Sequence, residues 1–162
     1  MPAPQLVLPN PFMARAIELS VENVRSGRGG PFAALVVRDG VVLAEGTNEV
    51  TTVNDPTAHA EIVAIRRACA ALGAFQLDGC ELYTTCEPCP MCLGAIYWAR
   101  PDRVYFGSGA ADAAEAGFDD AEIYEQLAVP HGQRRIPMVQ IMREEAQRAF
   151  RAWREKGDRV EY

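Results

Sequence analysis

Apolar and polar positions follow a helical period near the start of the chain and then change to short β-rich runs. From Met13 to Val24 the apolar residues recur at helical spacing, behind an Asn10-Pro11 pair that favours a helix start. The runs 32–38 and 41–45 are joined by Asp39-Gly40, a strong hairpin signal. The pattern therefore predicts a helix followed by a β-hairpin.

Beyond residue 54, helical and β-rich segments alternate. Asp55-Pro56 repeats the helix-start pattern ahead of an apolar stripe that runs to Leu72. Further helices are predicted over 90–99 and 144–156, and further strands over 81–85, 103–107 and 137–142. Strands that alternate with helices after a hairpin indicate an α/β fold in which helices cover both faces of a mixed sheet.

Length and charge limit the classes of protein that this chain can belong to. It has 162 residues, of which 49% are hydrophobic and 23% charged, as expected for a single globular domain. Lys plus Arg is 16 and Asp plus Glu is 22, so the net charge is 16 − 22 = −6. An acidic chain lacks the positive field that neutralises phosphates, which disfavours a nucleic-acid substrate.

The expected compartment is the cytoplasm. No stretch of the sequence approaches the roughly 20 apolar residues that a membrane span needs. Residues 1–11 contain four prolines and no basic residue, unlike a secretory signal. The five cysteines, an odd number in a chain without an export signal, are expected to be reduced thiols.

Candidate chemistry lies in the segments 57–61 and 86–92. His59, Cys89 and Cys92 offer one nitrogen and two sulfurs, the ligand types of tetrahedral zinc, and Cys89 and Cys92 fit the first turn of one helix. Three protein ligands would leave a fourth position open for water, whose pKa zinc lowers toward neutrality. Glu61, two residues after His59, is then the expected general acid and base.

Each half of this pattern also has a simpler interpretation. A histidine at a helix start is usually a capping or core residue, and a Cys-x-x-Cys pair can be a structural zinc site or a redox pair. Cys86 would extend the pair to an iron–sulfur spacing, but the fourth cysteine and the following proline of that motif are missing. Together, His-Ala-Glu and Pro-Cys-x-x-Cys match the zinc-deaminase signature, with Cys86 left as a structural thiol.

Further motifs lie at 29–32, Asn48, 54–61, 86–101, 112–120, 123–124, 152–154 and 161–162. With these motifs, the sequence from about Phe12 onward resembles the cytidine-deaminase-like superfamily and, within it, the bacterial guanine deaminases. The superfamily motifs include the two zinc segments, and the guanine branch is indicated by Ala-Gly-Phe-Asp-Asp at 116–120 and by the aromatic C-terminus.

This resemblance implies a three-layer α/β/α fold with a five-stranded mixed sheet, in one domain that spans residues 1–162. It implies one zinc ion per subunit and the hydrolytic deamination of guanine to xanthine and ammonia, a step of purine breakdown. It also implies a homodimer in which the C-terminal segment, about 143–162, is exchanged between subunits and closes the partner's site. The expected partners are thus a purine, water and a second copy of the chain, with no membrane.

Site residues carry over from the same resemblance, position by position. Asn48 would hydrogen-bond the purine, and Asp120 would bind the purine edge or assist proton transfer. Tyr162 would contact the substrate from the other subunit. Apolar walls and further contact with the base would come from Phe32, Trp98 and Ala60.

Two alternatives to guanine deamination remain open at the level of sequence. The same chemistry could act on another free base or a triazine, such as cytosine or an ammeline-like ring, or on tRNA adenosine, which the net charge of −6 disfavours. A structural zinc module without activity would instead need a fourth protein ligand and would have no use for Glu61.

Overall fold

The computed structural model describes residues 9–162, which form two compact units. The first unit ends at Asp120, and the second runs from Ala121 to Tyr162. Among the described residues, no helix has the length and apolar character to cross a bilayer.

The elements of the first unit largely follow the predicted pattern. The cap of the first helix is as expected, since Asn10 Oδ1 accepts hydrogen bonds from the backbone N–H groups of Phe12 and Met13, both at 3.0 Å. The helices are α1 (Pro11–Arg25), α2 (Val50–Val53), α3 (Ala60–Leu72), α4 (Pro90–Ala99) and α5 (Ala110–Glu115), and the strands are β1 (Ala33–Arg38), β2 (Val41–Thr47), β3 (Cys80–Cys86) and β4 (Arg103–Ser108).

The sheet is mixed, as the sequence predicted, but residues 9–162 contain four strands in one sheet rather than five. The strand order is β2-β1-β3-β4. Strand β1 pairs antiparallel with β2 and with β3, whereas β3 and β4 are parallel. The crossover that joins the parallel pair contains α4, which brings the start of α4 next to the end of β3.

Alternate residues of β1 enter two cores on opposite faces of the sheet. Ala34 and Val36 pack with residues of α3 and α4, and Leu35 and Val37 pack with α1. Helices thus cover both faces of the sheet, and the first unit has the predicted α/β/α layering.

Helix α3 begins later than predicted. Asp55-Pro56 does not start it, because Asp55 Oδ1 accepts hydrogen bonds from the Thr57 N–H at 2.8 Å and the Thr57 hydroxyl at 2.7 Å and so closes a turn. Before that turn lies the short helix α2, which ends at Asn54 in the left-handed region with φ of 53°. His59 becomes the N-cap residue of α3.

The second unit contains α6 (Ala121–Ala128), a 3₁₀ turn (His131–Gln133) and α7 (Arg143–Glu155). Helix α7 agrees with the predicted helix over 144–156. The predicted strand over 137–142 is wrong, which accounts for the missing fifth strand. Pro137 has no N–H to donate to a ladder, and Met142 adopts a left-handed conformation, with φ of 49°, where α7 begins.

Candidate active site

The structure brings together the predicted metal ligands. His59 Nδ1 lies 3.5 Å from Cys89 Sγ and 3.5 Å from Cys92 Sγ, and the three ligand atoms are all within 4.8 Å of one another. Cys86 stays outside this cluster, since its Sγ contacts the Gly109 carbonyl oxygen at 3.9 Å. One nitrogen and two thiolates within this distance suit zinc, so the donor set fits the metal.

Two helix starts supply the ligands. His59 is the N-cap residue of α3 and Cys89 that of α4, yet neither side chain caps its own helix, so both are directed to the cluster. Cys92 lies in the first turn of α4 and is fully buried. The positive end of a helix favours a thiolate, which is the form of cysteine that binds metal.

Hydrogen bonding within the cluster sets its charge. The hydrogen bond from the Cys92 thiol, assisted by His59, lowers the pKa of Cys89 to about 4, so this side chain is a thiolate at neutral pH. The same hydrogen bond to Cys89 and burial raise the pKa of Cys92, which keeps its proton in the metal-free chain. Binding of a metal ion by both sulfurs would therefore require Cys92 to lose its proton.

Glu61 lies beside the cluster with a side chain that is only 6% exposed. Its Oε1 accepts a hydrogen bond from the Thr84 hydroxyl at 3.2 Å, and its Oε2 lies 3.4 Å from Cys92 Sγ, whose single proton can go either to Oε2 or to Cys89. Burial raises the pKa of Glu61, which favours a group that can take up a proton near neutral pH. The sequence analysis did not identify Thr84. Side chains alternate between the two faces of a strand, so Thr84 shares a face of β3 with the core residue Leu82, and this alternation could have indicated that Thr84 is buried.

Strand β2 and the first turns of α3 approach each other closely at Gly46. A Cβ at Gly46 would lie 2.4 Å from the Ala60 carbonyl oxygen and 2.5 Å from the Ala64 nitrogen. Only glycine allows the strand and the helix to pack this closely. Gly46 therefore helps to set the position of the helix turn that carries His59 and Glu61.

A second close approach holds Asn48. A Cβ at Gly29 would lie 2.1 Å from the Asn48 carbonyl oxygen. The buried Asn23 donates from Nδ2 to the carbonyl oxygens of Gly30, at 2.9 Å, and Asn48, at 3.0 Å. Asn23 therefore fixes the backbone around Asn48, a role that the sequence analysis missed.

Aromatic and acidic groups surround the same region. Phe32 meets Phe118 edge to face, with ring centroids 4.9 Å apart and an interplanar angle of 86°. Burial, with further contributions from the charges of Cys89, Asp119 and Glu87, raises the pKa of Asp120. Asp120 therefore lies within electrostatic range of Cys89, and its role toward the base, like the roles of Phe32 and Asn48, stays a prediction.

The remaining predicted site residues differ in their placement. Ala60 is buried at the first position of α3, between His59 and Glu61. Trp98 is 63% exposed on α4, away from the helix face that buries Cys92, Ile96 and Ala99. Tyr162 belongs to the second unit and is 70% exposed. The substrate roles of these three residues stay predictions.

Residues 9–108 match the family model described as the cytidine and deoxycytidylate deaminase zinc-binding region. The chain belongs to this deaminase family. The match covers α1, the whole sheet and both zinc segments, which confirms the predicted superfamily and zinc as the cofactor.

Similar proteins identify the branch of this deaminase family. The chain is 56% identical over 151 residues to a guanine deaminase from Bacillus subtilis, covering 93% of this chain and 97% of that protein. The X-ray structure of guanine deaminase from Bacillus subtilis matches with a TM-score of 0.91 over 93% of this chain and 96% of that chain. A guanine deaminase from Nitrosomonas europaea is 38% identical with a TM-score of 0.66, covering 71% of this chain and 66% of that chain.

The same family includes a relative with a different activity. A tRNA-specific adenosine deaminase from Agrobacterium fabrum is 40% identical over 119 residues, which cover 70% of this chain and 78% of that protein. The guanine deaminase similarity extends over more of the chain, into the second unit, and it confirms the resemblance predicted from the sequence.

Proposed function

We propose that this deaminase hydrolyses the exocyclic C2 amine of guanine and releases xanthine and ammonia. The observation that carries the proposal is the buried Glu61 carboxyl beside a cluster of three metal ligands. An acid–base group next to a zinc site with a position left for water suits hydrolysis rather than a purely structural metal. The guanine deaminase relatives supply the choice of base.

The metal part of the site is built from His59, Cys89 and Cys92. Bound there, zinc would act as a Lewis acid that lowers the pKa of water toward neutrality. Helices α3 and α4 share a core with the sheet, so their starts bring the ligand side chains together before any metal binds.

Glu61 is the residue that we assign to proton transfer. Its Oε2 is directed toward Cys92 and so toward the cluster, whereas Thr84 contacts Oε1. Hydrolysis of an amine requires one proton to leave the attacking water and one to reach the departing nitrogen. Glu61 can accept the proton from the water and return it to the departing nitrogen, and burial, which raises its pKa, strengthens it as a base.

We assign recognition of the base to aromatic and polar residues of the first unit. Phe32 and its partner Phe118 offer an aromatic surface for a flat ring, and Asn48 and Asp120 offer polar groups for its edges. Asn23 and the close approach of Gly29 fix the backbone of Asn48, which limits the positions that its side chain can reach. Trp98 and Ala60 are the further apolar contacts in this proposal.

Ammonia release on a panel of bases, measured together with the metal content, tests the function. We expect one zinc per chain and ammonia from guanine, with much slower release from adenine, cytosine and an aminotriazine and none from a tRNA anticodon stem with adenosine at its wobble position. Zinc without ammonia from any base would indicate a structural metal module. Preference for the tRNA would place this chain with the adenosine deaminases among its relatives.

We further propose that two copies form a homodimer that exchanges the segment 143–162. On α7, Phe150 and Trp153 are 59% and 38% exposed. The first unit exposes a second apolar surface, formed by Leu93, Tyr97, Trp98 and Phe106 on α4 and β4. Apolar area of this extent on a single chain favours association. In this arrangement Tyr162 would reach the partner's base-binding site.

Sedimentation over a range of concentrations tests the dimer. We expect a mass of two chains for the wild type and a shift toward one chain for Tyr97→Glu, which introduces charge into the α4 surface. A wild-type chain that sediments as a monomer at all concentrations would contradict the exchange.

A further inference from the structure

Thr84 carries a buried hydroxyl that has no assigned role in the proposed reaction. It lies on β3 and is 1% exposed. Its Oγ1 is 3.2 Å from Glu61 Oε1 and 3.2 Å from the Cys86 carbonyl oxygen. A threonine hydroxyl has one proton to donate, so these two acceptors compete for it.

The two carboxyl oxygens of Glu61 have different neighbours. Oε2 lies 3.4 Å from Cys92 Sγ, one of the three ligand atoms, and Oε1 lies 3.2 Å from the Thr84 hydroxyl. Thr84 therefore supplies the contact that reaches Glu61 from outside the ligand cluster.

The ionised carboxylate should win the competition for the hydroxyl proton. A hydrogen bond to a charged acceptor is roughly twice as strong as one between neutral groups. The Cys86 carbonyl oxygen, 3.2 Å from the same Oγ1, is a neutral and therefore weaker acceptor. We therefore expect the Thr84 hydroxyl to donate to Glu61 Oε1.

We propose that Thr84 is the positioning residue of Glu61: its hydroxyl holds Oε1 in place and so keeps Oε2 directed at the ligand cluster. The inference rests on the proposed deamination and on the role of Glu61 in it. The β-branched side chain of threonine restricts χ1, so the hydroxyl is aimed before the substrate binds. Positioning of this kind affects the chemical step more than the binding of the base.

Variants of two neighbouring threonines provide the test. Thr84→Val keeps the shape and removes the hydroxyl, and Thr84→Ser keeps the hydroxyl. Thr85→Val is the matched control: Thr85 is also buried on β3, and its Oγ1 accepts instead from the Ala33 N–H at 3.1 Å. We expect Thr84→Val to lower kcat on guanine by at least about tenfold with KM within about threefold of wild type, and Thr84→Ser to recover kcat to within about threefold. The Thr85→Val control should keep kcat.

Thermal unfolding of the zinc-loaded variants gives a readout that does not depend on activity. We expect the loss in Tm of the double variant Thr84→Val/Glu61→Leu to be smaller than the sum of the two single losses, because either change alone already breaks the contact. If Thr84→Val does not fold, Thr84→Ala replaces it with the same expectations, since alanine adds no volume.

The outcomes separate this inference from the proposed function. A wild-type chain that releases no ammonia from guanine would overturn the function and the inference together. An active wild type with an equally active Thr84→Val, or a Thr84→Ser as slow as Thr84→Val, would overturn the inference alone. Loss of zinc from Thr84→Val, or strictly additive Tm losses, would also overturn it, since the hydroxyl would then not act through Glu61.

Discussion

The two units of the chain differ in what their apolar residues do. In the first unit, large side chains such as Leu35, Leu77 and Leu82 are fully buried in cores on both sides of the sheet. In the second unit, none of residues 121–162 is buried, and Ile136, Val139 and Ile141 are more than 70% exposed. The metal cluster lies entirely in the unit that has a core, since ligands must be held in place by packed elements.

The two units therefore have different expected roles. The first unit contains the three metal ligands and the buried Glu61 carboxyl. The second unit has an amphipathic sequence, and none of its residues is buried. Helix α7 alone would be marginal in water, because most of the stability of a short helix comes from packing its apolar face. We therefore expect metal binding to depend on the first unit and the proposed closure of the site to depend on the second.

The largest effect is expected when a metal ligand is removed from the first unit. Cys89→Ala or Cys92→Ala should lose tight zinc binding and with it all deamination, because two remaining ligands cannot hold the ion. Cys86→Ala, outside the cluster, is the matched control and should keep one zinc per chain. Metal analysis after dialysis against a chelator measures both. If Cys86→Ala abolishes zinc binding while Cys92→Ala does not, the ligand assignment is wrong.

Replacement of Glu61 separates chemistry from metal binding within the first unit. Glu61→Gln keeps the volume of the side chain but cannot accept and return a proton. Turnover should fall by at least roughly 10²–10⁴-fold, the usual contribution of general acid–base catalysis, while the zinc content stays at the wild-type value. Steady-state ammonia release and metal analysis on the same sample check this. Activity near wild type, or loss of the metal, would remove Glu61 from the proposed role.

Deletion of Gly157–Tyr162 tests the contribution of the second unit. These residues are exposed, so the zinc content and the folded core should be nearly unchanged. Turnover on guanine should nevertheless fall at least about tenfold, or about 1.4 kcal/mol of barrier, because the tail would exclude water from the closed site.

Mixing the deleted chain with full-length Glu61→Gln sharpens this test. A mixed dimer would join an intact Glu61 site to an intact tail from the other subunit, so that activity should partly return. Mixed dimers that form but recover no activity would show that the tail acts in its own subunit or not at all.

The smallest effect is expected from the ion pair of the second unit. The Arg135 guanidinium contacts Glu122 and both side chains are at least half exposed. Arg135→Ala should change the free energy of unfolding by no more than about 1 kcal/mol, because water and salt screen exposed pairs. Chemical denaturation measures it. A larger loss would mean that this surface is buried in the assembled protein.

Local signals in the sequence predicted several elements well. The Asn10 cap, the Asp39-Gly40 hairpin and the bounds of α4 agree with the structure, because each depends on hydrogen bonds and backbone preferences within a few residues. The start of α3 was missed because the same residue types that cap a helix can close a turn instead, and Asp55 does the latter.

Non-local features could not be predicted in this way. The strand expected over 137–142 has β-rich residues, but a strand exists only with a hydrogen-bonded partner, which sequence alone does not identify. The contact between Thr84 and Glu61 joins residues 23 positions apart, and Asn23 reaches Asn48 across 25. Such contacts depend on how the helices are placed on the sheet.

The sequence by itself determined which side chains can bind zinc and move a proton, because those properties belong to residue types and their spacing in His-x-Glu and Cys-x-x-Cys. Tertiary structure decided that His59 meets Cys89 and Cys92 within 3.5 Å, that Cys86 is left out, and that Glu61 is buried against Thr84. The reason is physical: helix starts far apart in the chain converge only after β1, β2 and β3 pair and the glycine at position 46 lets α3 approach the sheet.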